Sequence, residues 1–256
     1  MPDRIILKLG GSIITDKGSG NAGVVRENVL RDIAKTLKEF SDIPLLLVHG
    51  AGSYGHPQAR QYNIQGGISG ENRRGVFETH HAVSFLNKQV VSMLRVEGIE
   101  AVSVHPFDGM VASGGELSGY CLENLKIMID LGIVPVLHGD VVMDTMKGAC
   151  IVSGDQLVRV LAQHLGMKRI GLATDVPGLL DADGSVVREL RRSVAHTIRI
   201  GGSGSIDVTG GMQGKIAELL RLADMGIGSE IFHVSRLMEF LSGADHGGTR
   251  ILPEDA

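Results

Sequence analysis

LLLVHGAGSYGHPQAR, residues 45–60, is the stretch on which the fold turns, because three chemistries compete for its glycines. Gly50, Gly52 and Gly55 match G-x-G-x-x-G, the turn that lays a helix N-terminus against a dinucleotide pyrophosphate. Residues 51–55 nearly match the nucleophile elbow G-x-S-x-G around Ser53, with Ala51 in place of the first glycine. The third reading is a glycine-rich anion cradle closed by His56. A dinucleotide site asks for an acidic residue closing a second strand about 20 residues further on. The sequence there, NIQGGISGENRRG, contains no strand, so Glu71 is a poor ribose ligand. A hydrolase elbow asks for a strand well inside the sheet, an oxyanion-hole segment and later strands bearing acid and base. Here the elbow follows only the second apolar run. The cradle needs a second glycine loop at a neighbouring strand end, with cations converging on both.

The chain supplies these. IILKL runs straight into LGGS at residues 9–12, with Lys8 before Gly10 and Gly11, Ser12 after them, and Lys17 beyond in LGGSIITDK. Glycines at a strand end let amide N–H groups approach an anion, and flanking lysines add point charges. A further cluster, DVTGGMQGKIAELL at 207–220, puts Gly210 and Gly211 before a helix with Lys215 in its first turn. It is not a P-loop: three residues separate Gly210 from Gly214, and Ile216 stands where a Mg²⁺-binding Ser or Thr is required. The helix dipole mildly disfavours a lysine there, and an anionic ligand reverses that penalty. HGD (138–140), SGDQ (153–156) and ATDVPGLLDADG (173–184) each follow a strand or hairpin. Asp155 either caps the helix of Leu157, Val158, Leu161 and Leu165 or fixes the lysine ammonium groups. Asp175 either caps or lines a nucleotide pocket.

A chain of 256 residues is long enough for one large α/β unit or two closely joined lobes. A net charge of −4 does not suggest a nucleic-acid surface, so basic residues that matter act locally. Thirty-six glycines, six Phe, three Tyr and no Trp point to many tight loops and an aliphatic core. Cys121 and Cys150 read as reduced structural thiols without clustered metal-ligating partners. MPDRIILKLGG reads as a strand rather than a signal peptide, and no apolar run approaches bilayer length. A soluble cytoplasmic protein is expected, with no membrane or nucleic-acid partner.

The runs IILKL, LLLVH, AVSV, VPVLH, RIGLAT and EIFHV alternate with helical periodicity, which predicts a parallel sheet covered on both faces. Val29, Ile33 and Leu37, flanked by Leu30 and Ala34, mark one helix face. Val76, Val83, Leu86, Val90 and Leu94 mark a longer helix stopped by Gly98, and Ile127 with Leu131 mark another ending at Gly132. Residues 141–152 read as a hairpin turning near Lys147 and Gly148. Nothing divides residues 1–256, although a change of lobe near 150–170 fits the pattern.

LKLGGSIITDK, VHGAGSYGH, HGDV, SGDQ, ATDVPGLL and DVTGGMQGK, in this order, resemble the amino-acid kinase superfamily over essentially residues 4–251. GAGSYGH and LGGSIITDK resemble the isopentenyl phosphate kinases within it, with fosfomycin kinase as the relative that shares the histidine. Ala51 departs from the family's usual glycine. The resemblance implies an α/β three-layer αβα sandwich with a mainly parallel sheet, an acceptor-binding lobe (1–165), a nucleotide-binding lobe (166–256) and a homodimer. It implies direct in-line transfer from ATP to isopentenyl phosphate, in isoprenoid biosynthesis. By the same resemblance Lys8 and Lys215 contact ATP phosphates, Lys17 stabilises the transferring group, and Asp155 organises the lysines. Gly10, Gly11, Ser12, Gly52, Thr174, Asp175 and Gly211 border the nucleotide. His56 bonds the acceptor phosphate beside the Ala51, Gly52 and Gly139 backbone, and Mg²⁺ is held mainly by phosphates rather than by protein ligands. The prenyl tail needs a dry pocket, for which Val76, Phe77, Thr79, His80, Val83, Val141 and Ile151 are the candidates. A fosfomycin kinase-like phosphonate kinase or another small-molecule kinase of the superfamily stands as the alternative within the class, and an NAD(P)-dependent oxidoreductase and a non-catalytic nucleotide-binding regulator as alternatives of other classes.

Overall fold

Ile5–Leu9 and Leu45–His49 are apolar except at Lys8 and His49, and every residue of both strands is buried. Strands of that kind must be covered on both sides. The computed structural model describes residues 3–16, 23–195 and 210–255, and within them the two strands lie side by side in the middle of an eight-stranded sheet. The order across it is Glu189–Leu190, Thr249–Ile251, Ser229–His233, Arg169–Thr174, Ile5–Leu9, Leu45–His49, Val134–His138, Ala101–Ser103. Neighbours are parallel except Ser229–His233 with Thr249–Ile251, so the sheet is mainly parallel, as its sequence pattern predicts.

The alternation of side chains along a strand sorts the core into two layers. Ile5, Leu7 and Leu9 join Leu30, Ile33 and Leu37 of the Glu27–Glu39 helix and Leu86, Val90 and Leu94 of the Arg74–Val96 helix. Ile6 faces the other way, toward Leu157, Val158 and Leu161 of Gly154–Leu165 and Leu219 and Leu222 of Gly210–Asp224. The result is a three-layer αβα sandwich. Lys8 shares the face of Ile6, and that parity brings it under the Gly154–Leu165 helix.

Two elements differ from the sequence expectation. The helix before Gly132 exists as Glu123–Asp130, but it buries Leu125 and Ile129, while Ile127 and Leu131 are exposed. Both pairs share the i, i+4 spacing, and the side of the helix that meets the sheet decides between them. The hairpin of Asp140–Asp144 and Gly148–Val152 is half of a second, four-stranded sheet completed by Met110–Ser113 and Glu116–Tyr120. The Asp144 carboxylate accepts the amides of Gly114 (3.0 Å), Gly115 (2.6 Å), Met146 (2.8 Å) and Lys147 (2.9 Å), which joins the two turns of that sheet.

Candidate active site

The glycine turns close neighbouring strands and are latched to one another. Gly10 donates its amide to Ala173 O, Gly50 to Leu9 O and Gly139 to His49 O, each at 3.0 Å. The 10–11 and 50–52 loops then meet backbone to backbone: a Cβ on Gly11 would lie 2.4 Å from Gly52 N, and one on Gly50 2.7 Å from Gly11 N. Gly52 also holds φ +55°, where a side chain would strike Thr15 Oγ1. Glycine at 11, 50 and 52 is therefore a steric requirement, while Ala51 is accommodated half-buried between them. The Gly52–Gln61 helix starts here, and amides in a first helical turn have no acceptor in their own helix.

Lys8 reaches Asp155 Oδ1 at 2.6 Å, and Lys215 reaches the same oxygen at 3.7 Å. The side chains are 6%, 14% and 11% exposed for Lys8, Asp155 and Lys215, so little water offsets their charges. The capping alternative for Asp155 is excluded, because Ser153 is the N-cap and its Oγ accepts the Gln156 amide at 3.1 Å. Burial pushes the Asp155 carboxyl upward, but Lys8 and Lys215 outweigh it and hold the group below its ordinary value. Lys215 is pushed down to about 8, first by burial and then by the Lys8 ammonium, with Asp155 opposing. Two ammonium groups share one carboxylate, which leaves a net positive charge in a nearly dry site. Such a site is built for an anion.

His56 is exposed on the first turns of the Gly52–Gln61 helix. The protein around its ring lowers its pKa from the ordinary value and the Arg60 charge lowers it further, so the imidazole is neutral at pH 7. Ser53 donates its hydroxyl to Asp16 O at 2.9 Å and its amide to Thr15 Oγ1 at 3.1 Å. It is a latch between loops rather than an activated nucleophile, which removes the hydrolase-elbow reading. Thr174 is buried, its Oγ1 2.7 Å from Val176 O and 3.1 Å from Phe232 O, so its hydroxyl serves the strand end; Asp175 beside it is exposed, as is Ser12. Gly211 belongs to the Gly210–Asp224 helix that carries Lys215. Lys17 lies outside the described residues.

The tail candidates separate. Val76 and Ile151 pack, partly buried, on buried Val141, Ile64 and Ala149, with Ile68 and Phe107 in the same cluster. Phe77 is instead 64% exposed and stacks on His81. Val83 is buried where a Cβ on Gly55 would meet it at 2.5 Å, and Thr79 is buried with its hydroxyl unpartnered. His80 is polar in its contacts: its Nδ1 lies 3.0 Å from the buried Asp140 carboxylate, which raises its pKa against the effect of burial. Ile64, Ile68 and Phe107 escaped the sequence reading because they sit in short irregular segments without periodicity.

A double glycine cradle and a buried lysine pair on an αβα sandwich define a class that binds phosphate groups. The amino acid kinase family model matches residues 3–233, and the chain belongs to that family. Among its relatives, isopentenyl phosphate kinase of Haloferax volcanii is 40% identical over 245 residues, covering 95% of this chain and 96% of that one. The isopentenyl phosphate kinase of Methanothermobacter thermautotrophicus is 38% identical, covering 96% and 98%. A solved isopentenyl phosphate kinase superposes with a TM-score of 0.85 at 34% identity, covering 97% of this chain and all of that one.

Proposed function

We propose that this chain transfers the terminal phosphoryl group of ATP to the phosphate of isopentenyl phosphate, forming the diphosphate. The observation that carries the reading is the Lys8–Asp155–Lys215 cluster set beside a two-loop glycine cradle that ends in a neutral His56. The relatives named isopentenyl phosphate kinases match it over nearly the whole chain.

An acceptor phosphate is already largely ionised near neutral pH, so no general base is needed. The difficulty is holding two polyanions in line, which positioning and fixed positive charge overcome. Lys8 and Lys215 take the ATP phosphates, and Asp155 keeps both ammonium groups aimed at one point. His56 donates to the acceptor phosphate, beside the amides of the Ala51–Gly52 turn. Gly139 contributes shape rather than its amide, which is bonded to His49 O. Lys17 stabilises the group in flight. Mg²⁺, which neutralises phosphate charge when bound, fits as an ion carried on the nucleotide, because the Asp155 carboxylate is occupied by the lysines. Val76, Val141, Ile151 and Phe107 receive the prenyl tail.

No described helix is long and apolar enough to cross a membrane. A homodimer in the cytoplasm belongs to the same proposal, and light scattering on the purified protein tests the assembly. The functional test is Lys17→Ala, expected to lower kcat by well over about threefold while both KM values stay near the parent's. Unchanged turnover removes the assigned role. Stabilisation by NAD(P) but not by ADP with Mg²⁺ would instead favour an oxidoreductase, and nucleotide binding without transfer a regulator.

A further inference from the structure

Beneath the cradle lie two histidines that the glycine motifs and lysines do not account for. His49 and His138 end neighbouring parallel strands and are partners in register. Both are fully buried, and their rings stack with centroids 5.5 Å apart. Each sets Nδ1 against the carbonyl of the glycine that follows it: His49 Nδ1 is 3.0 Å from Gly50 O, and His138 Nδ1 is 3.1 Å from Gly139 O. A carbonyl oxygen only accepts, so Nδ1 carries the hydrogen in both rings. The far nitrogens differ. His138 Nε2 lies 2.8 Å from His105 Nδ1, which can donate to it, whereas His49 Nε2 lies 3.1 Å from Asn87 Oδ1, so the Nδ1–H form of His49 requires the Asn87 amide to turn its N–H₂ toward the ring. The backbone links the pair, since His49 O holds the Gly139 amide at 3.0 Å.

Glycine has no side chain to bias its peptide, so a glycine loop that must present N–H groups to an anion can also rotate and present oxygen. A trans peptide points its C=O and N–H in opposite directions. Holding Gly50 O against the buried His49 ring therefore turns the Ala51 amide away from the core, at the start of the Gly52–Gln61 helix. Holding Gly139 O against His138 fixes the adjoining turn in the same way. We propose that His49 and His138 are positioning residues for the acceptor phosphate, each locking a glycine carbonyl inward so that the cradle offers amides rather than oxygens to the anion. The inference rests on reading residues 50–56 as the acceptor-phosphate cradle.

Asparagine and glutamine separate this role from core filling, because an Asn amide can place its N–H₂ near the Nδ1 position, whereas Gln places it near Nε2. His49→Asn, His49→Gln, His138→Asn and His138→Gln are compared for kcat, both KM values, ADP affinity and thermal unfolding. The Gln variants are expected to raise KM for isopentenyl phosphate about tenfold, the scale of one lost hydrogen bond, with KM for ATP nearly unchanged. The Asn variants are expected to recover most of that loss. Equal effects of Asn and Gln, or equal effects on both substrates, overturn the proposal. Imidazole ¹⁵N NMR of the unmodified protein gives an independent answer: both rings are expected as Nδ1–H tautomers, and an Nε2–H tautomer at either position overturns it. A parent protein that binds ADP but does not phosphorylate isopentenyl phosphate would count against the functional reading instead, while the tautomers still report whether the carbonyls are held.

Discussion

Lys215 makes the site dependent on pH in a direction that can be worked out. Its folded-state value of about 8 lies below its ordinary one. Below pH 8 it is charged whether the chain is folded or not. Between that point and the ordinary lysine value the folded protein has released a proton that the unfolded chain keeps, so this group makes stability rise with pH across the window. Nucleotide binding runs the other way, because phosphate needs the charge. ADP affinity measured by calorimetry is expected to fall as pH rises through about 8, and Lys215→Arg to move that fall upward, since guanidinium stays protonated. A flat profile in the parent contradicts the charge assigned to Lys215. His56→Ala is expected to weaken acceptor use by about tenfold or more, with His56→Gln recovering part through its neutral donor, while ADP affinity holds. Lys8, Asp155 and Lys215 were legible because charge beside glycine at strand and helix ends has few structural uses. The Ser153 cap that frees Asp155, and the inward turn of His49 and His138, were not, since a polar residue at a strand end looks the same in sequence whichever way it points.

Among the elements, the helices that carry Asp155 and Lys215 are tied together by charge. Arg159 donates to Glu116 at 2.8 Å and pairs with Glu218, and Arg221 reaches Glu116 at 3.0 Å. The Arg159 and Glu218 side chains are only 12% and 15% exposed, so removing one partner leaves the other a poorly solvated, uncompensated charge. Arg159→Met is expected to raise KM for ATP several-fold, because it loosens the helix bearing Lys215, and to leave KM for isopentenyl phosphate nearly unchanged. Equal changes in both would deny the network that role. Gly11→Ala is expected to damage both substrate sites and to lower stability by roughly 1–3 kcal/mol on chemical denaturation, because backbone rather than a flexible side chain stands in the way. The central strands could be read from uninterrupted apolar runs. The Met110–Ser113 and Glu116–Tyr120 strands could not, since they are half-exposed and mix polar with apolar residues. The Glu123–Asp130 helix with its C-cap residue Leu131 likewise offers two equivalent stripes, and only packing selects one.

For the whole molecule, the order of the motifs was enough to place both glycine loops at adjoining strand ends. The apolar cluster proposed to receive the tail was not legible in that way, because it draws Ile64, Val76, Phe107, Val141 and Ile151 from segments that sequence spacing does not connect. Phe107→Ala and Ile151→Ala are expected to improve longer prenyl phosphates relative to isopentenyl phosphate, at ~0.8 kcal/mol for each added methylene that becomes buried. Unchanged chain-length preference in both would move the pocket elsewhere. The central claim is tested most directly by incubating the purified protein with ATP, Mg²⁺ and isopentenyl phosphate and following phosphorus by ³¹P NMR. The expected result is one isopentenyl diphosphate for each ADP formed; ATP left intact, or ADP accumulating with inorganic phosphate and no diphosphate, would contradict it.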